Sequence, residues 1–415
     1  AEAALAAAQA EVGLVTAEQA TIIAEVCADA RLPLAEIAHA AAGSANPISP
    51  MVQALRRAVG ERCTDAAEVL HRGATSQDIM DTASMLITAD MLERIAAELA
   101  LARDTLATLA SAHIGTVLPG RTLAQQAVPI SFGTKCAGYL QQLDTLAGEL
   151  DSLRHNGIPA QLGGAAGTMA ATVEYARLAG FDDPERRALR VAAGFAARLG
   201  LAEPALPWHT ARLPVARMGM QLALLGGALG KIAMDVKTLS RNEIAELHEG
   251  SPAGWGGSTT MPQKRNPVRA TLILAAAEQL YAHSGVLQRA MLAEDERPAG
   301  SWQAEWAALR DCLRLAASAA QHSAALLADL EVDVARMRAN ALAAEGILAE
   351  RLAIARAQPG AARPPRLLDP ADYLGASAEF TDRVLRQHRS SPPQRADAAH
   401  NTDDGDHTPG GSRNG

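Results

Sequence analysis

Long stretches of this chain repeat apolar residues at alternating steps of three and four. Leu92, Ile95, Leu99, Ala102, Leu106 and Leu109 form one such stripe. Met218, Leu222, Leu225, Leu229, Ile232, Val236 and Leu239 form a second, and Leu140, Leu143, Ala147 and Leu150 a shorter third. That spacing lines one face of a helix, so the stripes predict helices packed side by side in a bundle. Helices are expected over 82–113, 124–155, 211–248, 268–292 and 302–330. No segment alternates with a period of two, so little sheet is expected and the fold class is all-α. Alanine and leucine abound and aromatics make up 3% of the 415 residues, a composition that favours helix and close packing on small side chains.

Some helices are apolar beyond the stripe. Leu224 lies beside Leu222 and Leu225, and Leu101 beside Leu99. A helix greasy on two faces needs neighbours on both, which predicts oligomerisation through the central helices. A solenoid is the other way to supply neighbours, but no repeat of fixed period is visible. The formal net charge of −8 argues against a general nucleic-acid binder. It leaves room for an anionic small molecule held by a local cluster of Lys and Arg. Cys27, Cys63, Cys136 and Cys312 form no C-x-x-C pair, so reduced thiols in a cytoplasmic protein are expected. Ala1 to Glu11 is acidic and unlike a signal peptide, and no uncharged apolar run reaches the roughly 20 residues of a membrane span. Ser390 to Gly415 is polar without periodicity and reads as a disordered tail.

The most informative break is Gly250 to Pro267, rich in glycine and set between two strong helical patterns. Asn266 reads as an N-cap and Pro267 as the first residue of the next helix. The positive end of that helix, Lys264 and the glycine-flanked hydroxyl of Ser258 together suggest a cradle for a carboxylate. Composition alone is equally consistent with a flexible surface loop.

The run Gly257-Ser-Thr-Thr-Met-Pro-Gln-Lys-Arg-Asn-Pro267 resembles the fumarase/aspartase superfamily signature G-S-S-x-M-P-x-K-x-N-P, differing only at Thr259. His71-Arg-Gly-Ala-Thr-Ser-Gln-Asp-Ile-Met-Asp-Thr82 resembles the family's first characteristic region, and Gly120-Arg-Thr-Leu-Ala-Gln-Gln-Ala-Val-Pro-Ile-Ser-Phe-Gly133 its second. The resemblance implies a long helical bundle with small helical flanking domains. Their expected bounds are 1–81, 82–332 and a shortened 333–388, with a tail at 389–415. The N-terminal domain resembles relatives entered part-way through their first segment. The resemblance further implies Ser258 as catalytic base, with Lys264 and Asn266 holding or polarising a carboxylate. Thr75, Ser76, Thr122, Gln125, His71 and Arg297 are the remaining implied substrate contacts, and Arg121, Arg212 and His209 are weaker candidates. It implies no metal and no organic cofactor. It also implies a homotetramer whose sites draw on three chains, and a small polycarboxylate substrate. The sequence carries no H-E-x-x-H, no phosphate-binding G-x-x-x-x-G-K-[ST] and no dinucleotide-binding glycine fingerprint.

Fumarases, argininosuccinate lyases and adenylosuccinate lyases carry a histidine after the threonine of the second region, where it helps the leaving group depart. Here that position is Leu123, which transfers no proton. Water and amines leave poorly without an acid. A carboxylate, whose conjugate acid has a pKa of about 4, leaves unprotonated. Together with Pro207-Trp-His-Thr-Ala-Arg212, this resembles the 3-carboxy-cis,cis-muconate cycloisomerase branch, which forms a lactone in aromatic catabolism through protocatechuate and β-ketoadipate. Leu213 departs from that branch, which often has an acid there. Two alternatives stay open: an adenylosuccinate-lyase-like eliminase, which predicts a proton donor near Leu123, and a helical scaffold that has lost activity.

Overall fold

The computed structural model describes residues 1–250, 252, 255–261, 263–357 and 368–390. Five helices form the central bundle: α6 (Ser76–Ala112), α7 (Phe132–Asn156), α10 (Leu213–Leu239), α11 (Val268–Arg289) and α12 (Ser301–Ala328). Ahead of them run α1 (Glu2–Glu11), α2 (Ala17–Asp29), α3 (Leu34–Ser44), α4 (Ile48–Gly60) and α5 (Thr64–Val69). Two helices, α8 (Ala170–Leu178) and α9 (Pro184–Arg198), lie between α7 and α10, and α13 (Val334–Ala343), α14 (Ala349–Ala357) and α15 (Ser377–Ser390) follow the bundle. The strands are β1 (Val117–Thr122) with β2 (Gln125–Ser131), and β3 (Leu247–Glu249) with β4 (Leu330–Val332), each an antiparallel pair. The all-α expectation holds.

The stripes became the core. Leu92, Ile95, Leu99, Ala102 and Leu106 of α6 are buried, as are all seven stripe residues of α10 and all four of α7; Leu109 is half-buried. Each leucine removed from water contributes roughly 2 kcal/mol. Small residues bring α10 and α11 close: a Cβ on Gly219 or Gly226 would sit 2.7 or 2.6 Å from Leu287 or Leu280. A second core cluster joins the N-terminal helices through Ile23, Val26, Leu55, Val59 and Leu70. There a reciprocal cap starts α2: the Gln19 N–H donates to Thr16 Oγ1, and the Thr16 N–H donates to Gln19 Oε1. After the bundle, α13 packs on β1, and α15 lies along α7, where Thr134 Oγ1 donates to the Ser377 carbonyl.

Several expected boundaries shift. The α6 helix begins at Ser76, six residues before the expected 82, and α10 ends at Leu239, short of 248. The helix expected from 124 starts only at Phe132, because 117–131 pair as a hairpin. Ser131 then caps α7, its Oγ accepting from the Thr134 N–H at 3.1 Å. All four cysteines are free thiols. Among the described residues no helix is long and apolar enough to cross a membrane. The tail expected from 389 begins with two residues still in α15; residues 391–415 lie outside the described chain.

Candidate active site

Thr75 and Ser76 stand at the start of α6, with Thr75 at the N-cap. The Thr75 N–H donates to Asp78 Oδ2 at 2.9 Å, which fixes the first turn. Arg297, from the connection ahead of α12, reaches across to this turn. Its Nη2 donates to Thr75 Oγ1 and to the Ala165 carbonyl, both at 2.9 Å, and its Nε donates to Gln77 Oε1 at 3.2 Å. All three acceptors are neutral. Among the described residues no carboxylate forms an ion pair with Arg297, and its Nη1 has no partner. A half-buried guanidinium gripped on one side, with its charge unmatched, presents an anion-binding edge beside a helix N-terminus. Ser76 is half-buried at the first helical position. His71 lies in the preceding turn with φ +64° and holds Glu2 Oε1 through Nδ1 at 2.7 Å.

The second region forms the β1–β2 hairpin just past the far end of α6. Thr122 and Gln125 pair as the last rung, and both are exposed. Leu123 and Ala124 make the turn with φ of +50° and +64°, backbone that L-residues rarely adopt, and Leu123 is 99% exposed.

The loop carrying Ser258 leaves β3 and enters α11. Arg269 ties its base to the end of α12, with Nη1 donating to the Gly250 carbonyl and to Asp329 Oδ2 at 3.0 and 2.7 Å. The other side closes where the Asn266 N–H and Nδ2 both donate to the Gly256 carbonyl, at 2.9 and 3.0 Å; Gly256 takes φ +70° there. Of the described residues between, Gly257, Thr259, Thr260, Met261, Gln263, Lys264 and Arg265 are exposed and Ser258 is half-buried. Ser258 Oγ accepts from the N–H groups of Thr260 and Met261, at 3.4 and 3.2 Å. Lys264 is exposed and, among the described residues, has no side-chain partner. Pro262 of the motif lies outside the described residues.

Two expectations about this loop are corrected. The N-cap of α11 is Pro267, not Asn266, and the helix proper begins at Val268. The N–H groups at its start are not open to a ligand either: Glu249 takes those of Arg269 and Ala270, at 2.8 and 3.2 Å. A carboxylate at a helix N-terminus is favourable, and here the protein supplies its own.

Three weaker candidates have structural work. Arg212 is buried and binds Asp81 at 2.7 and 3.1 Å and Glu305 Oε1 at 2.9 Å, with its guanidinium over the Trp208 ring. The Asp81 carboxylate raises the Arg212 pKa against the opposing effect of burial. Arg121 forks onto the buried Glu246. His209 is buried against Asp78 rather than lining a cleft. Residues the motifs did not single out are Gln77 and the Ala165 carbonyl, partners of Arg297. The T-x-x-D spacing of Thr75 and Asp78 was a readable capping signal.

One chain does not bring these groups together. Thr75, Ser76, His71 and Arg297 cluster at the N-terminal end of α6. Its 37 residues span about 55 Å before the chain turns into the hairpin. The Arg121–Glu246 pair and the β3–β4 pairing hold the tip-side part of the hairpin and the base of the Ser258 loop at that far end. The 28 residues of α12 likewise carry the chain about 40 Å from the Arg297 end to Asp329 under the Ser258 loop. A cavity of about 640 Å³ is lined largely by apolar residues such as Leu162, Met169, Val173, Phe195 and Leu206, and none of Thr75, Ser258, Lys264 or Arg297 is in its wall.

Comparison with known proteins agrees with the motifs. The lyase family profile matches residues 1–281. A nitrosuccinate lyase from Streptomyces davaonensis is 41% identical over 437 residues, covering 96% of this chain and 91% of that one. A 3-carboxy-cis,cis-muconate cycloisomerase from Pseudomonas aeruginosa is 37% identical over 429 residues, covering 94% and 91%. The crystal structure of the 3-carboxy-cis,cis-muconate lactonizing enzyme from Pseudomonas putida superposes with a TM-score of 0.85 at 35% identity, over 94% of this chain and 93% of that chain. With its helical bundle, its three motif regions and these relatives, the chain belongs to the lyase family of the fumarase/aspartase superfamily of enzymes.

Proposed function

We propose that the chain is a cycloisomerase that closes 3-carboxy-cis,cis-muconate to a carboxymuconolactone, in aromatic catabolism by way of protocatechuate. The observation that carries this reading is Arg297, a cation held by Thr75, Gln77 and Ala165 with no carboxylate partner among the described residues. A substrate with three carboxylates supplies what that edge lacks. Supporting it, the hairpin tip bears Leu123 where a proton donor would serve a basic leaving group.

In the proposed reaction a substrate carboxylate oxygen adds to the conjugated double bond, and a C–O bond forms. Negative charge gathers at the carbon next to a second carboxylate. Lys264 and Asn266 hold that carboxylate. Ser258 delivers its hydroxyl proton to the carbon, or removes it in reverse. The Thr260 and Met261 N–H groups already point at Oγ and stabilise the oxyanion left behind. The C=C π bond is the bond consumed, and solvent water returns the proton that Ser258 gives up, so the carbon skeleton and all its oxygens are kept. Thr75, Ser76, His71, Thr122 and Gln125 contact the remaining carboxylates and the chain of the substrate.

The separation of the parts supports a site shared between copies. The site is built where the Arg297 end, the hairpin and the Ser258 loop of different copies meet, in a homotetramer joined through the central helices. Exposed Leu213, Met220, Leu224 and Met234 on α10, and Leu272 and Val286 on α11, supply an apolar face for that contact.

A second reading rests on the 41% identical nitrosuccinate lyase. Nitrite, like a carboxylate, is a weak base that leaves without an acid, so the same Ser258 and the same Leu123 serve a β-elimination that releases it. Ultraviolet assays with 3-carboxymuconate, nitrosuccinate and adenylosuccinate in parallel separate the possibilities. Loss of the muconate absorbance, abolished in Ser258→Ala, is the expected result. Nitrite release from nitrosuccinate alone would move the assignment to the second reading. Turnover of adenylosuccinate, or full turnover by Ser258→Ala, would overturn the proposed chemistry.

A further inference from the structure

Asp78, fully buried in the first turn of α6, accepts four hydrogen bonds. Oδ1 takes the Gly163 N–H at 2.8 Å and His209 Nε2 at 2.7 Å. Oδ2 takes the N–H groups of Thr75 and Gly164, both at 2.9 Å. A carboxylate only accepts, so Nε2 carries the proton of its bond. Among the described residues His209 Nδ1 has no partner, which leaves Asp78 as the single hydrogen-bonding contact of that side chain there.

The three acceptors that grip Arg297 all lead back to this pair. Thr75 is fixed through its N–H on Asp78. Ala165 directly follows Gly164, whose N–H is on the same carboxylate oxygen. Gln77 is fixed by donating its Nε2 to the His209 carbonyl at 2.8 Å. The His209 side chain therefore stands behind two of the three holds on Arg297, and its backbone behind the third. Gly163 leaves room for the ring at close range: a Cβ there would sit 2.9 Å from His209 Cε1.

We infer that His209 is a positioning residue for Arg297, acting through Asp78, which sets Thr75 and the 163–165 turn so that the free edge of the guanidinium is aimed at a substrate carboxylate. The aim at a substrate carboxylate rests on the reading of Arg297 as a substrate-binding group; the hold on Arg297 does not. A cation misplaced by a fraction of an ångström binds its anion poorly, while the proton chemistry at Ser258 goes on.

The test compares His209→Leu, His209→Gln, Arg297→Met and the double variant His209→Leu/Arg297→Met. Glutamine keeps an N–H able to reach Asp78, and leucine does not. The readouts are thermal midpoint, kcat and KM with 3-carboxymuconate and with nitrosuccinate, and the rate of phenylglyoxal modification of Arg297 in ligand-free protein, followed by peptide mass spectrometry. His209→Leu is expected to raise KM by about tenfold or more with kcat within about threefold, and to speed modification of Arg297 several-fold as its Nη2 is released. His209→Gln is expected to bring both back toward wild type. In the Arg297→Met background the leucine is expected to add nothing to KM. A lowered thermal midpoint with unchanged Arg297 labelling and unchanged KM would make His209 merely structural and overturn the inference. So would a KM effect that persists without Arg297. If the wild type turns over neither substrate, the function reading fails, and the labelling rates still decide the positioning.

Discussion

Arg121 forks onto Glu246, its Nη1 and Nη2 meeting the two carboxylate oxygens at 2.9 and 2.6 Å across 125 residues of sequence. Glu246 is fully buried and also accepts from Asn340 Nδ2 at 2.8 Å, so the hairpin, the turn after α10 and α13 are fastened at one point. Removing one partner of a buried pair leaves the other charge stranded, at a cost of about 3 kcal/mol. Arg121→Ala is expected to lower the urea unfolding free energy by that much. It should also depress turnover, because the hairpin loses its anchor. Arg121→Lys should recover only part of the loss, since an ammonium cannot fork.

Arg212 makes a sharper case. It lies between Asp81 and Glu305, and Trp302 Nε1 also donates to Asp81 at 3.0 Å. Without the guanidinium two carboxylates face each other in the core. Arg212→Met is expected to destabilise by about 3–5 kcal/mol, read as a drop in thermal midpoint or as insoluble protein. Combining it with Asp81→Asn and Glu305→Gln should recover much of that loss, because the stranded charges are then gone.

Asp235 links stability to acid. Lys135 Nζ lies 3.1 Å and Lys231 Nζ 2.7 Å from its oxygens, and the Tyr139 hydroxyl donates to it. Burial pushes the carboxyl up, but Lys135, Lys231 and Tyr139 outweigh it and hold it below its ordinary value of 3.8. A carboxyl lowered in the folded state adds stability above its unfolded pKa and loses it as pH falls through the folded one. Asp235→Asn is therefore expected to cost about 1–3 kcal/mol near neutral pH. The gap to wild type should close on acidification through and below 3.8. Urea midpoints measured across that range check the sign.

Gly133 closes the second motif for a packing reason. Its N–H donates to the His113 carbonyl at 2.8 Å, and a Cβ there would lie 2.6 Å from the Ala110 carbonyl oxygen and 2.7 Å from Ile114 backbone atoms. Backbone cannot swing aside as a side chain tip can. Gly133→Ala is expected to destabilise by about 1–3 kcal/mol, seen in chemical denaturation, with the junction of α6 and α7 forced apart.

What the sequence made legible was what repeats. The stripes of α6, α7 and α10 announced themselves because a helix buries every third or fourth residue. The β1–β2 hairpin stayed hidden because Gln125-Gln126-Ala127-Val128-Pro129 does not alternate, and its turn uses Leu123-Ala124 instead of the Asn-Gly or Gly pair that marks such turns. Motif spacing marked Ser258 and Lys264 as a unit but did not reveal that Glu249 would close the helix end beside them. Arginines were the least readable. Arg212 and Arg297 look alike as letters. The partners that separate them, Asp81 and Glu305 for one, Thr75 and Gln77 for the other, lie between 93 and 222 residues away.

The span of α6 has a genetic consequence. Under the proposed assembly, a copy spoiled at Arg297 and a copy spoiled at Ser258 each retain the half that the other lacks. Co-expressed, they would form mixed particles in which a minority of centres draw only on sound halves, so two dead alleles would yield a partly working enzyme.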